Sequence, residues 1–94
     1  MIRIGILGST NGTDLQAILN AIAEKKLQAK ISVVISNRKN AYILNRAETH
    51  NVQSEYVSHL NMNREEFEHK ITNILEKYKV DLVLLIGFMR ILSK

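Results

Sequence analysis

No cysteine occurs in the 94 residues. That excludes a disulfide framework and thiolate-ligated metal sites, and it leaves the redox compartment open. Proline is absent as well, which is unusual for a complete domain with several loops. Aromatic residues make up only 5% of the chain and tryptophan is missing. A nucleic-acid interface wants a basic stripe interleaved with stacking aromatics. Here the basic residues alternate with acidic ones, as in Arg64-Glu65-Glu66 and Glu76-Lys77, so no nucleic acid is expected as a partner. Long apolar runs are lacking too. Residues 82–89, between Asp81 and Arg90, are the most apolar stretch, and a bilayer span needs about 20 residues. The start, Met1-Ile2-Arg3-Ile4-Gly5, does not follow the order of a signal peptide. The expectation is a cytoplasmic protein with no membrane partner.

Hydrophobic residues at 46% and charged residues at 23% are ordinary for a globular domain and argue against disorder. The formal net charge of +4 favours anionic partners without saying which. The three histidines, His50, His59 and His69, show no metal-ligand spacing, and all are expected at the surface, with His69 paired to Glu65 one helical turn earlier. Ser9 has neither a nucleophile-elbow setting nor an evident base.

The hydrophobic pattern predicts alternating strands and helices. Residues 2–7 read as a buried strand. Leu15, Ile18, Leu19 and Ile22 fall on one helical face, with Thr13 or Asp14 placed to cap its start and the helix fading near Lys25-Lys26. Residues 31–35 read as a second strand, 41–49 as a helix carrying Ala41, Leu44 and Ala47, and 53–57 as a weak third strand. Asn63 followed by Glu66 has the form of a capping box. The helix behind it carries Phe67, Ile71, Ile74, Leu75 and Tyr78 on one face. Residues 81–86 read as a fourth strand, buried on both faces. The order β-α-β-α-β-α-β means an α/β fold, a parallel sheet with helices on both faces. The chain ends soon after its most apolar strand, so the domain is expected to be incomplete.

Ligands of such sheets bind at the carboxyl ends of the strands. Three segments should meet there: residues 8–14, 36–40 and 87–92. The first, Gly8-Ser9-Thr10-Asn11-Gly12-Thr13-Asp14, is neither a Walker A loop nor a dinucleotide fingerprint. It is either a plain capped turn or a phosphate cradle at a helix N-terminus. In the second case the amides of Gly12 and Thr13, with the Thr13 hydroxyl, would be the donors, and Asp14 would have to point away. Gly87-Phe88-Met89-Arg90-Ile91-Leu92 could wall a pocket for a flat ligand, or form core; residue chemistry alone favours core.

Three segments together resemble a known family: Gly8 to Ile18, then Val34-Ile35-Ser36-Asn37, then Gly87-Phe88-Met89-Arg90-Ile91-Leu92-Ser93. Their order and spacing are similar to the N-terminal half of phosphoribosylglycinamide formyltransferase, and Asn63-Arg64-Glu65-Glu66-Phe67 is similar to the family's Ser-Arg-Glu helix start. The likeness covers essentially the whole chain. It implies a Rossmann-like fold and metal-free formyl transfer from 10-formyltetrahydrofolate to the amine of glycinamide ribonucleotide, in purine synthesis. It implies that residues 1–94 form the ribonucleotide-binding half of the domain. It further implies that Gly12, Thr13 and Asp14 lie at the ribonucleotide phosphate, and that Arg64, Met89, Arg90, Ile91 and Leu92 line the formyl-folate site. The family often has asparagine where Asp14 stands, glycine for Thr10 and proline for Lys94. Its catalytic asparagine, histidine and aspartate follow Ser93, so these residues alone would turn nothing over and would need the remaining half, or a complementing chain. Alternatives are a formyltransferase of the methionyl-tRNA type, or a non-catalytic α/β module for a phosphorylated metabolite.

Overall fold

The structure, a computed structural model, describes residues 2–8, 12–58 and 63–86; for Thr13, Asp14 and Ile86 it describes the backbone. The elements follow in the order β1 (Ile2–Gly8), α1 (Thr13–Ala23), β2 (Ala29–Ser36), α2 (Tyr42–Thr49), β3 (Ser54–Tyr56), α3 (Arg64–Lys77) and β4 (Leu82–Ile86). The four strands form one sheet in the order β3-β2-β1-β4, and every strand pair is parallel. The chain steps outward from β1 to β2 to β3, then returns past both to β4. With right-handed crossovers, that reversal sends α1 and α2 to one face of the sheet and α3 to the other.

The two faces are separate apolar cores. On one, Ile4, Ile6, Ile31 and Val34 of the sheet pack with Leu15 of α1 and Ile43, Leu44 and Ala47 of α2, and Ile18, Leu19 and Ile22 lie against them half-buried. On the other, Leu7, Val33 and Ile35 pack with Phe67 and Ile71 of α3 and with Val57. The expected helical faces of α1 and α3 are thus the buried ones. Gly5 sits where α3 comes down on β1. A Cβ there would lie 2.9 Å from Leu75 Cδ2 and 3.0 Å from Val80 Cγ2, so the missing side chain is what allows the approach. Between Ile4 and Gly5 the register with β2 slips by one residue, from Ile31 to Val33, and Ser32 is the extra residue of the bulge.

The capping box of α3 is present. Glu66 N–H donates to Asn63 Oδ1 at 2.8 Å, and Asn63 N–H reaches back to Glu66 Oε1 at 3.5 Å. On the same helix the turn-spaced ion pair joins Arg64 to Glu68, and His69 is exposed as expected. Two expectations are corrected. The residue capping α1 is Gly12, without a side-chain cap, and Thr13 is already helical. And β4 is not buried on both faces: Leu82, Val83 and Leu85 are 46%, 38% and 61% exposed. It is the edge strand of the described sheet, and of its side chains Leu84 lies half-buried against the core under α1 and α2.

All three helices end in the same way, with a left-handed residue that is not glycine: Lys25, Asn51 and Lys79, at φ 62°, 58° and 55°. In each, the following amide bonds back five residues: Lys26 to Ala21, Val52 to Ala47 and Val80 to Leu75, at 2.9, 2.8 and 3.0 Å. These are Schellman ends, and two of them turn a valine, Val52 and Val80, into the two cores. Lysine suits the negative end of the helix dipole but carries a Cβ that the left-handed region disfavours. Lys79→Gly is therefore expected to stabilise the protein by about 0.5–1 kcal/mol, a modest gain because glycine also loosens the unfolded chain. A urea titration checks this; an unchanged or lower midpoint would show that the lysine's own contacts outweigh the strain.

Candidate functional site at the carboxyl edge of the sheet

The strands end together. Gly8 of β1 is registered with Ile86 of β4, and Ser36 of β2 with Tyr56 of β3. Because the chain reverses direction between β1 and β4, the crevice of the fold opens at the Gly8–Ile86 pair. The residues that leave these two strand ends, 9–11 and 87–94, lie outside the described residues.

The first leads into α1 through Gly12, whose φ of 75° and ψ of 31° are left-handed. The Gly12 carbonyl accepts from Gln16 N–H at 2.9 Å, which starts the helix ladder. Gly12 gives the first-turn amides no side-chain cap of its own, in contrast with the boxed start of α3. An uncapped helix N-terminus at a strand end is a place where an anion can satisfy the free N–H groups and the dipole. The start of α2 at Ala41 also lacks a side-chain cap, but it tightens by Leu44 N–H bonding to the Ala41 carbonyl at 3.1 Å.

Gly12 is pinned from below. A Cβ on it would fall 2.6 Å from Ile43 Cγ1, 3.0 Å from Ile43 Cβ and 3.1 Å from Ile43 Cα. The buried Ile43 of α2 thus sets how closely Gly12 approaches α2. Nothing in the local sequence marks it, since the contact depends on how α2 packs beside α1. Side chains tie these helices together as well: Arg46 Nη1 donates to Gln16 Oε1 at 3.1 Å, and His50 Nε2 lies 3.1 Å from Gln16 Nε2. His50, expected merely solvated, is exposed yet joined to α1.

The third segment of this edge begins at Ser36, which is fully buried. Its Oγ accepts from Arg38 N–H at 3.1 Å and donates to the Arg38 carbonyl at 3.2 Å, folding the chain over after β2. Asn37 behind it is only 5% exposed. Arg64 is the first residue of α3 and so stands at the same edge, on the opposite face from α1. Its side chain is 52% exposed, and Nε is 3.9 Å from Glu68 Oε2, too far for a strong hydrogen bond. Ser9, Thr10, Asn11 and His59 lie outside the described residues, as do Gly87, Phe88, Met89, Arg90, Ile91 and Leu92. Among the described residues no group of three acidic or histidine side chains could hold a metal, and no helix is long and apolar enough to cross a membrane.

A parallel sheet in the order β3-β2-β1-β4, with a glycine-led, uncapped helix at its reversal point, defines a Rossmann-like α/β protein. Within that class the chain belongs to the formyl transferase family, whose model matches residues 2–94. It is 39% identical over 92 residues to the human trifunctional purine biosynthetic protein adenosine-3, covering 97% of this chain and 9% of that protein. It is 38% identical to the phosphoribosylglycinamide formyltransferase of Dictyostelium discoideum, covering 96% of this chain and 48% of the relative. Among solved structures, glycinamide ribonucleotide transformylase 1 from Symbiobacterium toebii superposes with a TM-score of 0.94 at 40% identity, over 100% of this chain and 45% of that one. The 94 residues thus span about half the length of the single-function relatives they match.

Proposed function

We propose that this chain is the ribonucleotide-binding portion of a phosphoribosylglycinamide formyltransferase, which moves the formyl group of 10-formyltetrahydrofolate onto the amine of glycinamide ribonucleotide in cytoplasmic purine synthesis. The observation that carries this reading is the uncapped start of α1, held open by Gly12 at the reversal point of the sheet. The amides that follow Gly12, those of Thr13 and Asp14 first, receive the ribonucleotide phosphate. An amide cradle makes no demand on the Asp14 carboxylate, which an anion would repel if it faced the site.

The formyl donor enters from the other side of the crevice. Arg64 supplies a positive charge for the folate, and Met89, Arg90, Ile91 and Leu92 continue from β4 to wall its ring system. The reaction is attack of the amine on the formyl carbon, through a tetrahedral oxyanion, with departure of the tetrahydrofolate nitrogen. That oxyanion needs fixed donors and a proton carrier. In this proposal they are the asparagine, histidine and aspartate implied by the family resemblance, supplied by sequence beyond these 94 residues. The half described here binds and orients the two substrates.

The test uses the full-length protein with both substrates. Formylated ribonucleotide and free tetrahydrofolate are expected in equal amounts. Arg64→Ala should raise the KM for the folate by about tenfold, the worth of one charge-assisted contact, with a much smaller change in the KM for the ribonucleotide. Formylation of methionyl-tRNA instead, or release of formate without an acceptor, would assign the protein a different reaction. Absence of any reaction, with binding of a phosphorylated metabolite, would leave it a binding module.

A further inference from the structure

The opposite, amino-terminal edge of the sheet carries a second cluster of polar and cationic groups. On the α3 face there, a half-open cavity of about 270 Å³ is lined by Arg3, Lys30, Ser32, Asn51, Gln53 and Tyr78, with Ile31 and Val52 behind them. Arg3 and Lys30 are registered partners on β1 and β2. Their backbones are therefore about 4.8 Å apart, and both side chains leave the same face of the sheet. Like charges directly opposite on neighbouring strands repel, and a sheet normally avoids the arrangement.

Among the described residues neither Arg3 nor Lys30 is ion-paired. Two carboxylates stand nearby and keep their charge, each accepting a hydrogen bond from another group. Asp81 accepts the backbone N–H of Arg3 through Oδ2 at 2.9 Å, and Glu55 accepts the Tyr78 hydroxyl through Oε2 at 2.9 Å. That hydrogen bond, then burial, then the Glu55 charge push the Tyr78 phenol above its ordinary range, so it stays a neutral donor. Ser32, the extra residue of the β2 bulge, is 8% exposed, and its hydroxyl is the one buried side-chain polar atom among the described residues without a hydrogen-bond partner. Buried hydroxyls are nearly always satisfied.

We propose that this cavity binds a small dianion, a phosphate or a dicarboxylate, between Arg3 and Lys30. The Ser32 hydroxyl, turning about χ1, donates to one of the ligand's oxygens, and the Gln53 amide closes the outer side. The site is separate from the crevice at Gly12, which lies across the length of β1 at the carboxyl edge. An anion seated there removes the repulsion between the two cations and supplies the acceptor that Ser32 lacks.

The test is a titration of the full-length, ¹⁵N-labelled protein with inorganic phosphate and, separately, with succinate, against sodium chloride at matched ionic strength. Saturable shifts are expected at the amides of Arg3, Lys30, Ser32 and Gln53, following a curve independent of any response at Gly12 and Thr13. Lys30→Gln should weaken that binding by about tenfold and leave the response at Gly12 unchanged. Ser32→Ala should do two opposite things: raise the melting temperature without ligand, because an unsatisfied hydroxyl is gone, and reduce the shift in melting temperature that the anion produces. Saturation by phosphate alone, or by succinate alone, identifies the ligand class. Shifts that chloride reproduces, that do not saturate by about 10 mM, or that survive Lys30→Gln intact would overturn the proposal.

Discussion

Replacing Gly12 with alanine is expected to cost about 2–5 kcal/mol of stability and to abolish the anion binding proposed for the start of α1. Two independent penalties add. The backbone at φ 75° is left-handed, which costs a residue with a Cβ roughly 1–2 kcal/mol. The Cβ would also lie 2.6 Å from Ile43 Cγ1 and 3.1 Å from the Ile43 Cα, and forcing an extra methyl into a packed site costs roughly 1–3 kcal/mol. The backbone atom cannot give way as a side-chain tip can, so the start of α1 must lift instead. Lifting it turns the first-turn amides of α1 away from the crevice. The two penalties are separable. Trimming the neighbour in the double variant Gly12→Ala, Ile43→Ala removes the closest overlap and leaves the φ cost, so the two substitutions should be coupled by about 1 kcal/mol. Denaturant unfolding of the four proteins measures this. A Gly12→Ala variant within about 0.5 kcal/mol of the parent would show that α1 and α2 slide apart easily, and the crevice would then be far softer than its geometry suggests.

The second large effect is in the other core. Phe67 is fully buried, with the side chains of Leu7, Val33, Ile35, Val57 and Ile71 around it. Phe67→Ala should cost about 3–5 kcal/mol, the sum of lost burial and the cavity left behind. That is a large share of the 5–15 kcal/mol typical of a whole domain, and it falls on the helix whose first residue is Arg64. Leu85→Ala is the informative contrast. Leu85 is 61% exposed on the edge strand of the described sheet, so where no sequence outside the described residues covers it, its loss should cost less than about 0.5 kcal/mol. Thermal or urea melts of the two full-length variants, side by side, give the comparison. A penalty for Leu85→Ala approaching that of Phe67→Ala would mean that β4 is covered in the folded protein by sequence outside the described residues.

The element order was legible in the sequence because its signals are local. Alternating apolar runs and helical faces such as Leu15, Ile18, Leu19 and Ile22 depend only on backbone period. The Asn63–Glu66 box depends only on a spacing of three, and it is present. The family was legible as well, because its motifs combine a strand end with the turn that follows it. Once the structure gives the sheet order, the side of the sheet each helix takes follows from handedness. What the sequence could not reveal are facts of approach between distant parts. Gly12 caps α1 in place of Thr13 because Ile43, thirty-one positions on, leaves room only for a hydrogen. Residues 82–86 are as apolar as a central strand, yet among the described residues Leu85 is exposed, because burial depends on what lies over a strand and not on its own composition. Lys25 and Lys79 adopt left-handed helix ends usually left to glycine, since Schellman bonds and the packing of Val80 compensate for the strain. Arg3 and Lys30, far apart in the chain and unremarkable in composition, become neighbours only through the register of β1 on β2. Composition and period determine which elements exist. Only tertiary packing decides which residues meet, because contact energies between distant segments leave no mark on local sequence.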